Sequence, residues 1–480
     1  MDLNYDWTAF IPEYILLGLA ALVVAVDFFA PQVKKTWLAW IAAGGLAGAA
    51  GLSLGWIDKD VDFAGIASVD NYTTYFRVLF MGIGAVVALA SSRYVAERLR
   101  HPGEYYGLII LSTVGAIGMA GARELMTAYL SLELLSFSLY TLVSFAKFDG
   151  RSNEGGIKYM VLGAFASAMF LYGMSLLYGV TGSTYYSDIS AALSEGTADF
   201  DFALLMALVL MITGLGFKVA AFPFHMWTPD AYEGAPVTVT AYLSTTSKAA
   251  GFALLLRLFS EGLNVVHDDW SWIFAGLAAA TMIYGNLVAL QQRNIKRLMA
   301  YSSIGQVGYM LMALAGLSHE TAAALVLHLT GYMISNLALF VVIIAWVHMN
   351  ESEEIADFKG MRERAPLLAG VLAGALFSLA GLPLFAGFAT KFILFQAATN
   401  EGYYWLAAIG VVTSVISLYY YLQVMREVFV TPVEGEPEPL RVPLLMQGLA
   451  FGLMLGVFYV GVYPLHLFEA ADNATRLLFS

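Results

Sequence analysis

A lysine in the middle of a long apolar run is placed against strong resistance, because hydrocarbon surroundings oppose its charge. Four lysines of this chain, Lys158, Lys218, Lys248 and Lys391, lie within such runs. Lys248 and Lys391 have no other charged residue within eight positions on either side. Glu133 adds a carboxylate inside the apolar run 125–146. A cation at the centre of a bilayer costs about 2.5–3.5 kcal/mol even on the most lenient insertion scale. Lysine is also the cation whose hold on its proton responds most readily to desolvation. A row of such groups reads as a path for protons.

Other titratable and hydroxyl side chains fall into place around this row. Lys218 and His225 are seven residues apart, which on an unbroken helix is two turns along one face, with Pro223 between them. His225 alone could equally be an interfacial histidine near the cytoplasmic end of its helix. Lys248 follows Ser244-Thr245-Thr246-Ser247, a polar run able to hold waters that carry protons; small polar residues also mediate helix packing in membranes. His328, Tyr332 and Ser335 recur at i, i+4 and i+7 and form a stripe suited to a central relay, since histidine titrates near neutrality. The plainer reading of His328 is a satisfied core histidine. Lys391 follows Pro383 by two turns, with apolar sequence on both sides that prevents snorkelling. Lys158 lies close to one end of its run, where snorkelling is open to it. Asp230 and Glu233, in the motif TPDAYEGAP, read by default as a polar, capped turn, and Glu13 and Asp27 bracket the first helix at its two interfaces.

Glu133 is ten residues from Arg123, hence about 15 Å into the membrane along a helix. It is either a structural partner for one cation or the carboxylate that tunes Lys218. At about 5 Å and an effective dielectric of 20, such a pair is worth about 3 kcal/mol, enough to decide whether the lysine keeps its proton.

The elements that must position these groups are membrane helices. Of 480 residues, 59% are hydrophobic and 12% charged, about half the usual charged share of roughly 25%. Runs of about 20 apolar residues recur near 11–30, 37–57, 73–94, 105–121, 124–146, 155–180, 202–226, 236–260, 270–290, 296–316, 320–348, 366–398, 403–430 and 443–465. The expected architecture is an all-α polytopic membrane protein of about fourteen helices, joined by short loops. The longest linkers are 181–201, 351–365 and the Pro/Glu-rich 431–443. The segment 1–10 carries two aspartates and no basic residue, so the first run reads as a retained helix rather than a cleaved signal. Loops after odd-numbered helices hold fifteen Lys and Arg against five on the opposite side, once the four lysines above are set apart. By the positive-inside rule both termini then face outward, to the periplasm or its equivalent. The net charge of −12 owes much to acids in the outward loops and carries little functional weight.

Two segments are broken in parallel ways. The seventh reads GLGFKVAAFPFHMW, 214–227, and the twelfth SLAGLPLFAGFATKF, 378–392. Each has a proline among small residues and one lysine. Proline removes a backbone bond and clashes one turn back, and within a membrane the freed carbonyls need protein or a wet cavity. Interrupted helices five positions apart predict two five-helix repeats, helices 4–8 and 9–13, inverted because five is odd. One domain, 1–480, results, with a first repeat near 105–260 and a second near 270–430. Paired interruptions of this kind mark transport sites. Other chemistries are set aside. With no cysteine there is no thiolate or iron–sulfur ligation, seven scattered histidines lack zinc-like spacing, and no glycine-rich phosphate loop precedes a helix. Neither a nucleic-acid partner nor a cofactor bound by this chain is expected.

The stretches FPFHMWTPDAYEGAPVTVTAYLSTTSKAAGF, 222–252, and KRLMAYSSIGQVGYM, 296–310, resemble the signature of the antiporter-like proton-pumping subunits of respiratory complex I, the NADH:quinone oxidoreductase, and within them the N-type (subunit 2) branch. The Pro12-Glu13 opening of the first helix is similar too. Lysine rather than glutamate at 391 argues against the M-type branch, and no long lateral helix of the L-type follows the last segment. The resemblance maps key positions onto Glu133, Lys218, Lys248 and Lys391. The chain departs from the family pattern at Thr238 and Leu384, each often proline, and at Gly305-Gln306, often Ala-His, which leaves His328 as the better central candidate. The resemblance implies a translocase subunit of the cell inner membrane. Protons would enter near His225, pass Lys218, Lys248 and His328, and leave from Lys391, with Glu133 controlling Lys218. Flavin, iron–sulfur clusters and quinone would belong to partner subunits, and paralogous antiporter-like subunits and the lipid bilayer would be its neighbours. Two other readings stay open: a subunit of a multi-subunit cation/proton antiporter or membrane-bound hydrogenase, and a structural scaffold whose lysines merely pair with neighbours.

Overall fold

A computed structural model describes residues 6–30, 32, 34–196, 201–433 and 438–479. Parts of 1–10, of the acidic stretch 188–201 and of the connector 431–443 lie outside the described residues. The chain is helical almost throughout. After α1 (Ile11–Phe29) and α2 (Thr36–Ser53) comes a short antiparallel hairpin, β1 (Val61–Phe63) and β2 (Ala67–Val69), in register Val61 with Val69. Then follow α3 (Asn71–Arg98), α4 (Pro102–Gly121), α5 (Leu125–Val143), α6 (Gly150–Thr181) and the short α7 (Tyr186–Ser194). The middle of the chain is α8 (Asp201–Val219), α9 (Trp227–Gly234), α10 (Val237–Tyr242), a π-helical turn Leu243–Ser247 and α11 (Lys248–Arg257). Next are α12 (His267–Ala289), α13 (Ile295–Ala315), α14 (His319–Asn350), α15 (Met361–Arg364), α16 (Pro366–Ala380) and α17 (Ala386–Asn400). The chain closes with α18 (Tyr404–Phe429), α19 (Leu444–Val462) and α20 (Leu465–Thr475).

Twelve helices among the described residues are long and apolar enough to cross a membrane. Two expected segments are not continuous α-helices. Residues 236–260 are divided by the π turn, and 366–398 stops at Ala380 and restarts at Ala386. The seventh segment, expected as 202–226, ends at Val219. The linkers 181–201 and 351–365 contain α7 and α15, and α20 follows the last expected helix.

The core is not shared evenly. The most apolar window of α13 is 100% buried and that of α14 is 94% buried, against 28% for α19. α13 and α14 therefore form the axis, and the faces of α1, α2, α6 and α19 turn outward. Backbone bridges tie the ends of the bundle: Ala67 with Ala122 and Glu124 with Tyr185 at one end, Asn294 with Glu354 at the other.

Buried ion pairs lock the first helices in place. Glu13, expected as interfacial, takes Arg77 Nε at 2.6 Å, and the Arg77 side chain is fully buried. Asp27 Oδ2 accepts the Gly103 amide at 2.9 Å and so tethers the first turn of α4. Asp70, which caps α3, receives Arg257 Nη2 at 2.7 Å. Burial pushes the Asp70 carboxyl up, but the Arg257 charge and the Thr73 amide outweigh it and hold the group below the usual carboxylate range.

Candidate functional site

The first break is made by the backbone after α8. Ala220 takes φ 66, a left-handed conformation that a residue with a Cβ adopts only at some cost, and Pro223 follows. The helix cannot continue, and its last carbonyls find other donors. Trp227 Nε1 donates to Phe217 O at 2.9 Å, the Ala221 amide to Gly216 O at 2.8 Å, and the Phe222 amide to Thr281 Oγ1 at 3.0 Å. Lys218 lies in the last turn of α8, where the negative end of the half-helix favours a cation. Because α8 ends there, Lys218 and His225 do not share a helix face, contrary to the expectation from their spacing. His225 sits in the turn, buried, with its ring against Tyr284 at 4.5 Å between centroids. Its Nδ1 has no partner from the protein.

Lys218 Nζ donates to Ser136 Oγ at 2.8 Å. Ser136 is three residues along α5 from Glu133, so both face the same way. Glu133 is half-buried and accepts from Ser167 of α6 rather than from the lysine. It stays within electrostatic reach of Lys218 through that shared face. The lysine stem passes α11 at Gly251, where a Cβ would lie 2.7 Å from Val219 Cγ1 and 3.5 Å from Lys218 Cγ. Glycine is therefore needed there for close approach.

Lys248 begins α11, directly after the π turn, and is 1% exposed. Single-turn π segments often mark functional positions in helices. Its Nζ donates to Ser303 Oγ at 2.5 Å and lies 5.8 Å from the Tyr232 ring centroid. Within and beside the turn, Ser244 Oγ accepts from Asn336 Nδ2 at 2.7 Å, while the hydroxyls of Thr246 and Ser247 face those of Tyr242 and Tyr159.

The second break lies between α16 and α17. Gly381 at φ 87 closes α16, and Leu384 at φ 78 turns the chain toward α17. The ring of a proline at 384 could not adopt that φ. Lys391 reaches back from α17 to donate to Leu379 O at 2.7 Å, and Gln306 Nε2 donates to the same oxygen at 3.1 Å. Ser414 Oγ takes Ala380 O at 3.1 Å. Lys391 Nζ also lies 4.9 Å from the Tyr309 ring centroid, in cation–π range. His328 Nδ1 pairs with Thr390 Oγ1 at 2.9 Å, next to Lys391 in sequence, and His328 Nε2 has no hydrogen-bond partner among the described residues. The stripe on α14 continues with Ser335 Oγ, 2.7 Å from Ser378 Oγ.

The structure brings Lys248 and Lys391 onto one spine that sequence reasoning did not identify. Ser303, Gln306 and Tyr309 recur every three residues on the fully buried α13 and meet Lys248, the Leu379 carbonyl and Lys391 in turn. Asn286 braces the spine, bonded to Tyr309 OH at 3.3 Å and to Tyr420 OH at 3.0 Å. Three polar side chains at helical spacing within an otherwise apolar run were the available signal. From the sequence, Gln306 reads only as the position of a missing histidine.

Lys158 corrects its sequence reading. It is half-exposed and ion-paired with Glu154 at 2.6 Å and Asp230 at 2.8 Å, so it is not a lysine stranded in hydrocarbon. Asp230 and Glu233 form more than a capped turn: Arg297 Nη1 meets both, at 2.9 and 2.8 Å. Burial pushes Asp230 up, but hydrogen bonds from Lys158 and Arg297 outweigh it and hold the carboxyl below its ordinary range. Nearby, Lys296 donates to Ala235 O at 2.8 Å and pairs with Glu353 at 2.6 Å, locking the end of α9 to the loop after α14. Among the described residues no group of three or more His, Cys, Asp or Glu side chains is placed to hold a metal ion.

Residues 122–417 match the family model described as NADH:quinone oxidoreductase/Mrp antiporter, TM. The NADH-quinone oxidoreductase subunit N of Moorella thermoacetica is 39% identical over 469 residues, covering 97% of this chain and 98% of its own. A chain in the structure of respiratory complex I from Thermus thermophilus with bound aureothin is 30% identical, with a TM-score of 0.80 over 96% of this chain and 100% of its own. A chain of the Mrp complex from Dietzia shares the fold at a TM-score of 0.87 and 21% identity, over 99% of this chain and 98% of its own. With both breaks and Lys218, Lys248 and Lys391 inside the matched region, the chain belongs to the NADH:quinone oxidoreductase/Mrp antiporter transmembrane family.

Proposed function

We propose that this chain is a proton-translocating membrane subunit of an NADH:quinone oxidoreductase, and that Lys218, Lys248 and Lys391 carry the protons. One observation bears most of this reading. All three lysines are buried, and each bonds to a hydroxyl or carbonyl oxygen rather than to a carboxylate. A scaffold that needed buried cations would pair them, as this chain does with Arg77 and Glu13, Arg257 and Asp70, and Lys296 and Glu353. A buried lysine held only by neutral groups is free to exchange its proton with little rearrangement.

Protons enter at the turn bearing His225, reach Lys218, pass to Lys248 near Gly251, and continue along the α13 spine to Lys391. His328, bonded beside Lys391, is the relay to the exit. His225 Nδ1 and His328 Nε2, which meet no hydrogen-bond partner among the described residues, are the kind of group that orders internal water. Glu133 acts on Lys218 through space and through the α5 face that also carries Ser136. Lys158 stands outside the path and holds Asp230 in place.

The π-divided segment 236–260 and the broken segment 366–398 add two crossings to the twelve continuous spans, making fourteen, arranged as two inverted five-segment repeats in one domain. Fifteen basic residues in the loops after odd-numbered crossings place that end in the cytoplasm and both termini outside the cell inner membrane. Flavin, iron–sulfur clusters and quinone reside in partner subunits, which include paralogous antiporter-like chains, and quinone reduction there supplies the drive. Full-length relatives at 39% identity favour this over a cation/proton antiporter subunit, where the likeness is one of fold. The test is the whole complex carrying Lys218→Ala or Lys248→Ala, reconstituted in vesicles. The expected result is depressed proton pumping with the complex still assembled. Pumping at the wild-type ratio of protons to NADH would overturn the reading.

A further inference from the structure

A cavity of about 580 Å³ opens at the end of the bundle that carries most of the basic residues. It lies between the start of α2, the last turns of α3 and α14, and the start of α19. Its wall is split by chemistry. Thr36, Arg93, Tyr94 and His348 form a polar mouth, while Trp40 and Leu445 lead into apolar surface. No carboxylate lines it. Arg93 is exposed, and among the described residues no ion-pair partner meets it, whereas its neighbour Arg98 is paired with Glu351. His348 Nδ1 is buried with no protein partner, while its Nε2 faces Glu97 at 3.1 Å. Lys34 and Lys35 precede the α2 lining, Arg441 precedes the α19 lining, and all three are exposed. The first turn of α19 has no side-chain cap, so its free amides add positive potential at the same place. Below the mouth, Trp37 and Trp40 of α2 and Leu444 and Phe451 of α19 are exposed and apolar.

We propose that this cleft seats one anionic glycerophospholipid, with its phosphate at Arg93 and its acyl chains along the outward faces of α2 and α19. The charge argument selects the occupant. An unpaired arginine with further basic residues at a cytoplasmic membrane edge attracts a phosphate, and basic pockets between membrane helices bind anionic headgroups. Continuity with exposed apolar helix faces selects a lipid over a free anion. The bound lipid would bridge α2 and α19, two of the least buried spans, to the α14 axis.

The test uses the intact complex, stripped with detergent and then titrated with phosphatidylglycerol or phosphatidylcholine, with bound lipid counted by native mass spectrometry. The expected result is one phosphatidylglycerol more than in the Arg93→Gln complex, which should hold it about fivefold more weakly. Arg93→Lys should restore most of the retention. Leu445→Trp, which fills the cavity without changing charge, should remove the lipid even if Arg93→Gln fails to assemble. Equal retention in all complexes would overturn the proposal. So would equal retention of phosphatidylcholine, or displacement of the lipid by millimolar inorganic phosphate. An empty site in every complex, with a neighbouring subunit crosslinked to residue 93, would also overturn it.

Discussion

The two broken helices solve one problem in different ways. Both breaks hold a non-glycine residue in the left-handed region, but Ala220 directly ends α8, whereas α16 is closed by Gly381 and Leu384 turns the chain on toward α17. Both place a lysine at the negative end of the first half. At the first break the orphan carbonyls are taken by the Trp227 indole and by backbone amides, and Lys218 points away to Ser136. At the second, Lys391 itself takes the Leu379 carbonyl, with Gln306 and Ser414 beside it. One lysine is released from structural duty and the other is bound to it. A lysine serving as proton carrier at the second break must therefore give up a cap whenever it moves, whereas Lys218 can move without unfastening its helix.

The largest effect should follow from Lys391→Ala. It removes the proton carrier and one of two donors to a buried carbonyl, so pumping should fall about 100-fold, a low-end value for a positioned proton-transfer group. Stability should drop by about 1–3 kcal/mol, because the Leu379 carbonyl is left to Gln306 alone. Lys218→Ala should depress pumping by a similar factor and leave thermal unfolding of the complex within about 1 kcal/mol of wild type, since the hydroxyl it leaves is also bonded to Leu132 O at 2.6 Å. Paired melting curves of the two variants decide the matter. If both destabilise alike, the division of labour described here is wrong.

Gln306→Leu separates the second break from the spine. It keeps Lys391 but removes its companion donor and the middle member of the Ser303, Gln306, Tyr309 series. Stability should fall by about 1 kcal/mol and pumping by a few-fold, less than for either lysine. Because Lys391 still caps Leu379, a Gln306→Leu complex that loses pumping altogether would mean the amide carries part of the path rather than bracing it.

These contrasts show where the sequence was legible. Membrane helices follow from composition and run length, because hydrocarbon enforces satisfied backbone, and the breaks follow from proline among small residues. The isolation of Lys218, Lys248 and Lys391 was readable for the same reason: no charged residue within eight positions could explain them. What escaped was every partner supplied by another helix. Ser136, Ser303, Gln306 and Tyr309 are ordinary residues in their own segments and gain meaning only where α5 and α13 meet the lysines. The placement of His225 failed because an i, i+7 argument assumes helix continuity, which the left-handed Ala220 removes. Lys158 was ambiguous from the start, set near the end of its run with Glu154 four residues before it; its second partner, Asp230, is 72 residues away and could not be read from the sequence.

Lys158 also supplies the smallest expected effect, and the one that bounds the path. Its side chain is 44% exposed and its partners Glu154 and Asp230 are 64% and 30% exposed. Solvent screens such a pair, so its loss should cost about 0.2–1 kcal/mol. Asp230 keeps Arg297 at 2.9 Å when Lys158 is gone, so the end of α9 stays anchored. Lys158→Ala should then change coupled turnover by less than about twofold, because no buried charge is stranded. Asp230→Asn together with Lys158→Ala should be scarcely worse, since Glu233 still holds Arg297 at 2.8 Å. A collapse of pumping in the single variant, with melting unchanged, would place a working proton group at this exposed cluster. The path would then begin on α6 rather than at the first break, and the contrast between the two breaks would no longer describe the whole of the conducting line.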